Sequence, residues 1–192
     1  EVDVEFLARR GLAPTAEYEA VVARSIFPVA AAYTKEYYRL SDSPADIMAE
    51  GEALAAVHYR ETVALKPGAR ALLEQYRAYH QTMALFTACR PALCRMVLER
   101  FALTHYFSHV VYAEELGLEK HDPACFVRLG QLLGVPPEQC VLLDDSPSNC
   151  ATARRAGMTT VGVFDPFYAN RQDELKSVST QYVQSLEELL ER

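Results

Sequence analysis

The stretch Val141-Leu142-Leu143-Asp144-Asp145-Ser146-Pro147-Ser148-Asn149 decides the fold. Its apolar run is short and stops at two adjacent carboxylates. Turn and helix-start residues come next, and an Ala- and Arg-rich segment then runs to Gly157. A short apolar run bounded by turn signals reads as a buried strand of an α/β sheet. Open α/β sheets bind ligands in the crevice beyond the carboxyl ends of their strands, which is where Asp144 and Asp145 fall. Adjacent carboxylates repel, so both ionise easily only if a cation or a basic side chain joins them. Hard divalent ions such as Mg²⁺ suit carboxylate oxygen.

On either side of this stretch, strands and helices alternate. Ala69 to Tyr79 is helical, Thr82 to Phe86 is a strand ending at Thr87, and Pro91 to Phe101 is helical. His109-Val110-Val111-Tyr112 is a short strand, and a helix capped by Asp122 runs to Leu133. Cys140 to Leu143 is the organising strand and Ser148 to Ala156 its helix. Thr159 to Val163 is another strand, with a short strand near Tyr182-Val183 and a helix from Ser185 beyond it. This alternation predicts an α/β, doubly wound parallel sheet of Rossmann-like type. Residues 3–61 differ: they read as helix almost throughout, with a break near Pro28 and a cap at Ser43-Pro44. Lys66-Pro67-Gly68 is the expected boundary, giving a helical domain over 1–65 and an α/β domain over 66–192.

Composition narrows the function classes. Half of the 192 residues are apolar, as a globular protein with a real core requires. A net charge of −7 argues against nucleic acid and anionic membranes as partners. The chain has no apolar run long enough to span a bilayer. Five cysteines, an odd number without CxxC spacing, suit a reduced cytoplasmic setting and act against a zinc site. They are expected to pack as small hydrophobes.

Two further strand ends carry chemistry-bearing residues. Thr87 follows Ala84-Leu85-Phe86, with Ala88-Cys89-Arg90 next. A hydroxyl and free N–H groups just before a helix can hold an anion, or simply make a turn. Lys120 stands in Gly117-Leu118-Glu119-Lys120-His121-Asp122-Pro123, just before a capped helix, where its ammonium could reach a phosphate or lie in solvent.

Taken together, the three features resemble the haloacid dehalogenase superfamily, most of whose members are phosphatases. Ala84-Leu85-Phe86-Thr87 is similar to that family's second motif. Lys120-His121-Asp122-Pro123 is similar to the third, with His in place of a Pro. Val141 to Ser146, continuing to Ala156-Gly157-Met158, matches the fourth. The all-helical residues 3–61 look like the family's inserted helical cap.

One motif is missing. The family's first motif is an apolar strand ending in DxDx(T/V), whose aspartates are the nucleophile and the general acid. Asp3-Val4-Glu5 has that spacing but begins a helix. The expectation is that this strand and its aspartates lie upstream of Glu1 in a longer parent chain. The strand is internal in the family sheet, so without it two strand edges would lack a partner, or the sheet would rearrange.

The resemblance implies a Mg²⁺-dependent phosphatase of small phosphorylated metabolites that works through an aspartyl-phosphate. It implies Asp145 as a direct Mg²⁺ ligand, with Asp144 direct or through water. Thr87 and the Ala88 N–H would hold phosphoryl oxygens, and Lys120 would neutralise their charge. A β-phosphoglucomutase-type phosphotransferase shares all three motifs, and a non-catalytic binding protein is the alternative from another class. In the helical part Arg24, Tyr33, Lys35 and His58 are polar candidates for substrate contact, although nothing singles one out and solvated helix faces explain them better. Tyr33, Tyr37 and Tyr38 at helical spacing suit a core. His105, His109 and His121 make no metal-ligand spacing.

Overall fold

Val2–Ala8 (α1), Ala16–Val22 (α2), Phe27–Tyr38 (α3) and Pro44–Glu61 (α4) are helices, as the pattern over 3–61 predicts. The computed structural model of the chain describes residues 2–22, 25, 27–116 and 122–190. Pro28 sits in the first turn of α3, where a missing N–H costs nothing. The break therefore precedes it. Ser43 and Asp46 form a reciprocal capping box that starts α4 with Pro44 in its first turn.

Contacts divide the chain into two units: Glu1–Val63 with Arg95–Val97, and Ala64–Cys94 with Leu98–Arg192. In the first unit Phe6, Leu7, Tyr18, Ala31, Ile47 and Leu54 form the core. Tyr33, Tyr37 and Tyr38 pack against it, their ring centroids 6.1, 5.7 and 5.1 Å from that of Tyr18.

The second unit alternates Ala69–Ala78 (α5), Ala84–Thr87 (β1), Pro91–Arg100 (α6), His109–Tyr112 (β2), Ala113–Leu116 (α7) and Pro123–Leu133 (α8). Val141–Asp144 (β3), Pro147–Arg155 (α9), Thr159–Val163 (β4), Gln172–Val178 (α10) and Gln181–Val183 (β5) follow. All strand pairs are parallel, as a β-helix-β chain requires. They form two sheets, β1-β2 and β3-β4-β5. Both sheets feed one apolar cluster, in which Phe86, Val111 and Leu142 pack with Phe126, Leu129 and Ala153 from α8 and α9. Cys94, Cys125 and Cys150 are buried, Cys89 and Cys140 are half-buried, and none of the five is in a disulfide.

The division of the sheet has a visible cost. Among the described residues no strand links β1 to β3. Strands inside a doubly wound sheet are covered on both faces. Four of the five residues of β4 are buried, whereas β1 is half-buried throughout. Val141, at the start of β3, is 59% exposed. Among the described residues no helix is long and apolar enough to cross a membrane.

Candidate active site

The site is built from the carboxyl ends of the parallel strands. Asp144 is the last residue of β3. Its Oδ1 accepts the Ser146 N–H at 2.9 Å, and the Asn149 amide donates to Oδ1 at 3.1 Å and to Oδ2 at 3.3 Å. Ser146 is the N-cap of α9, accepting from the Asn149 N–H, and Pro147 takes the first helical position. One turn therefore holds the cap and the carboxylate together. Cys150 lies beneath it, its Sγ 3.6 Å from the Asp144 carbonyl oxygen. Burial pushes the Cys150 thiol up to about 11, so it stays protonated and inert.

Asp145 turns the other way. Its Oδ2 lies 3.1 Å from the Lys66 Nζ, and the same ammonium contacts Asp165 Oδ2. The Phe164 carbonyl oxygen lies 3.4 Å from that Nζ. Asp165 follows the end of β4, and its Oδ1 also accepts the Phe167 N–H at 2.8 Å. Burial pushes the Asp145 carboxyl above its ordinary value; Lys66 draws it back, while Asp144 and Asp165 repel its charge. Burial acts the same way on Asp165, but Lys66 and the Phe167 N–H outweigh it and leave that carboxyl below its ordinary value. Burial opposes the Lys66 charge, and the two carboxylates more than restore it. Two carboxylates thus share one internal cation, and Asp144 stands beside them on its own hydrogen bonds.

Thr87 ends β1, opposite Tyr112 of β2. Its Oγ1 accepts the Cys89 N–H at 2.9 Å, which shapes the turn into α6. The hydroxyl hydrogen stays available to donate. Ala88 is exposed at this turn. Lys120 and His121, and Arg24 in the amino-terminal part, lie outside the described residues.

The remaining polar candidates have partners inside their own unit. Lys35 donates to the carbonyls of Leu40 and Asp42 and closes the end of α3. His58 bridges Glu5 at 3.0 Å and Thr62 at 3.1 Å. His109 pairs with Ser108, and the His105 ring packs at a tilt against Tyr106. Among the described residues no three His, Cys, Asp or Glu side chains form a metal-binding group. The donors at the end of β3 are oxygen only, and the chain itself seats a cation against Asp145. That chemistry fits a hard divalent ion on Asp145, with further positions left to groups other than these two carboxylates.

A family model described as haloacid dehalogenase-like hydrolase matches residues 5–157. The chain belongs to this family. Fructose-1-phosphate phosphatase of Escherichia coli is 34% identical over 94 residues, 48% of this chain and 50% of that protein. Phosphoglycolate phosphatase of Pseudomonas putida is 28% identical over 128 residues, 67% of this chain and 46% of that protein. The chain thus spans about half the length of these curated relatives. The β-phosphoglucomutase structure from Clostridium difficile superposes with a TM-score of 0.75 at 17% identity, over 98% of this chain and 84% of that one. This likeness is one of fold, an α/β core with parallel strands.

The strand ends mark Thr87, Asp144 and Asp145 in the sequence but not three of their neighbours: Asn149 stands there only as a helix-start residue, Lys66 only as a boundary, and Asp165 has no role. A signal for Asp165 was present: an acid directly before Pro166 at the end of an apolar strand, the same punctuation that marks Asp145-Ser146-Pro147.

Proposed function

We propose that this chain serves a phosphatase of small phosphorylated metabolites. The observation that carries the reading is the carboxylate pair at the end of β3, with Asp145 already facing a cation. Family membership and the phosphatase names of the relatives support it. Residues 1–65 would choose the substrate and 66–192 would carry the chemistry.

Mg²⁺ is the cofactor that the donor set suits. Asp145 would hold it directly, and Asp144, whose oxygens already serve Ser146 and Asn149, would act through water. When bound, the ion screens the charge between a phosphate and an attacking carboxylate. Thr87 donates its hydroxyl hydrogen to a phosphoryl oxygen, and the Ala88 N–H donates to a second. Lys120 balances the remaining charge.

The nucleophile has no candidate among these residues. One parallel strand joining β1 to β3 would complete the sheet, and its carboxyl end would emerge between Thr87 and Asp144. An aspartate there attacks phosphorus and breaks the ester P–O bond, giving an aspartyl-phosphate and an alcohol protonated by a neighbouring acid. Water then attacks phosphorus, releases phosphate and restores the carboxylate.

The test is hydrolysis of para-nitrophenyl phosphate with Mg²⁺ and with EDTA. It uses the 192-residue chain and the same chain carrying an apolar strand ending in Asp-x-Asp ahead of Glu1. Metal-dependent turnover in the extended chain that Asp145→Asn abolishes supports the reading. A folded extended chain without turnover on this and a panel of sugar phosphates overturns it.

A further inference from the structure

Lys66 makes three contacts at the site, and an ammonium has three N–H groups. The acceptors are Asp145 Oδ2, Asp165 Oδ2 and the Phe164 carbonyl oxygen. The first directly follows the end of β3 and the other two follow the end of β4, so one side chain links the tips of the two strands. The backbone beneath Lys66 has little room to shift. Gly68 has a φ of +80° and lies so close to the segment at 186–187 that a Cβ there would stand 2.6 Å from the Glu187 nitrogen.

We propose that Lys66 is the resident cation of the Asp145 carboxylate and competes with a divalent ion for it. The proposal rests on the reading of Asp145 as a metal ligand. A doubly charged ion on Asp145 repels an ammonium at hydrogen-bonding distance from the same carboxylate. Lys66 can yield without being stranded, because Asp165 and the Phe164 carbonyl remain as its partners. Asp165 is therefore the seat to which the lysine withdraws. Without metal, Lys66 compensates the Asp145 carboxylate beside Asp144; with metal, it is pushed aside. The apparent affinity for the ion is lowered by the fraction of molecules in which the lysine occupies Asp145.

The experiment is calorimetric titration of Mg²⁺ into the wild-type chain, Lys66→Met, Asp165→Asn and the double variant, each checked by circular dichroism. Lys66→Met should bind Mg²⁺ about tenfold more tightly, and Asp165→Asn about tenfold more weakly, because Asp145 is then the lysine's one carboxylate partner. In the double variant the Asp165 substitution should cost about twofold at most, since no lysine remains to be redirected. Equal costs of Asp165→Asn in both backgrounds would indicate simple through-space charge and overturn the proposal. So would unchanged affinity in Lys66→Met. Mg²⁺ binding to none of the four proteins overturns the metal assignment itself, and this proposal with it. If Lys66→Met fails to fold, the wild-type chain still decides. Acetylation of Lys66 by an amine-reactive ester, followed by mass spectrometry, should be about threefold faster in saturating Mg²⁺, as for a displaced side chain. An unchanged rate overturns the proposal.

Discussion

The Asn149 amide nitrogen lies 3.1 and 3.3 Å from the two carboxylate oxygens of Asp144, across the first turn of α9. This pairing holds Asp144 to its own helix and leaves Asp145 to face Lys66. Asn149→Ala removes the amide and keeps the Ser146 cap. A half-buried carboxylate that loses one charged hydrogen bond should destabilise the chain by about 1–2 kcal/mol. A lower urea midpoint at unchanged slope would report it. An unchanged midpoint would mean that the Ser146 N–H alone orients Asp144.

The strands of the second unit were legible because each is a short apolar run between punctuating residues. His109–Tyr112 and Thr159–Val163 fall where the pattern places them. Helix α10 was not legible: Leu175 is its only buried residue, so no apolar period marks it. The division into two sheets is legible only through the missing first-motif strand, which leaves two strand edges without a partner; no local pattern marks it, because strand pairing joins segments remote in sequence. The Lys66–Asp165 contact is the extreme case, spanning 99 residues. Composition and spacing expose what a residue can do, whereas a salt bridge of that span depends on the whole topology. Asp144 and Asp145 were legible as a site for the opposite reason, since one strand end supplies both.

Arg10 gives the amino-terminal unit a defined acid response. Its Nη2 lies 2.8 Å from Asp42 Oδ1 and 2.7 Å from Glu50 Oε2. Hydrogen bonds from the guanidinium hold both carboxyls below their ordinary values. A carboxyl with a lowered folded pKa contributes stability above its unfolded value and loses it as pH falls through the folded one. The wild-type chain should therefore lose stability more steeply than Arg10→Met from about pH 5 down to about pH 3. Thermal melts across that range should converge at the acid end and separate at neutral pH, with the variant lower. Parallel curves would mean that the pair is too well screened to count.

Tyr18 is 1% exposed, and its hydroxyl lies 2.9 Å from Thr34 Oγ1. Thr34 spends its one hydrogen on the Ala30 carbonyl at 2.7 Å, so Tyr18 is the donor between them. Burial pushes the phenol up to about 12 and keeps that hydrogen in place. Tyr18→Phe keeps the packing and leaves Thr34 satisfied through Ala30, so it should cost only about 1 kcal/mol. Tyr18→Ala opens a cavity among Tyr33, Tyr37 and Tyr38 and should cost about 3–5 kcal/mol, as large aromatic truncations do. Denaturant titrations of the two variants compare the terms directly. Equal losses would place the stabilisation in the hydrogen bond rather than in the rings.

Gly162 sits in the middle of β4, opposite Asp144 on one side and Tyr182 on the other. A Cβ there would meet Ser179 Oγ at 2.5 Å and Leu175 Cγ at 2.9 Å. The strand has no side chain at this point because α10 needs the space, and Leu175 fills it at 1% exposure. Gly162→Ala must push α10 outward or bend β4. Overpacking of this kind costs about 1–3 kcal/mol. The strain falls on the strand that pairs with the end of β3 and leads to Asp165, so it should also reach the Lys66 contact. Pairing Gly162→Ala with Leu175→Ala separates the two causes. If helix crowding is responsible, the smaller residue at 175 should recover part of the loss, so that the double variant is less destabilised than the sum of the singles. Strict additivity would place the cost in the strand itself.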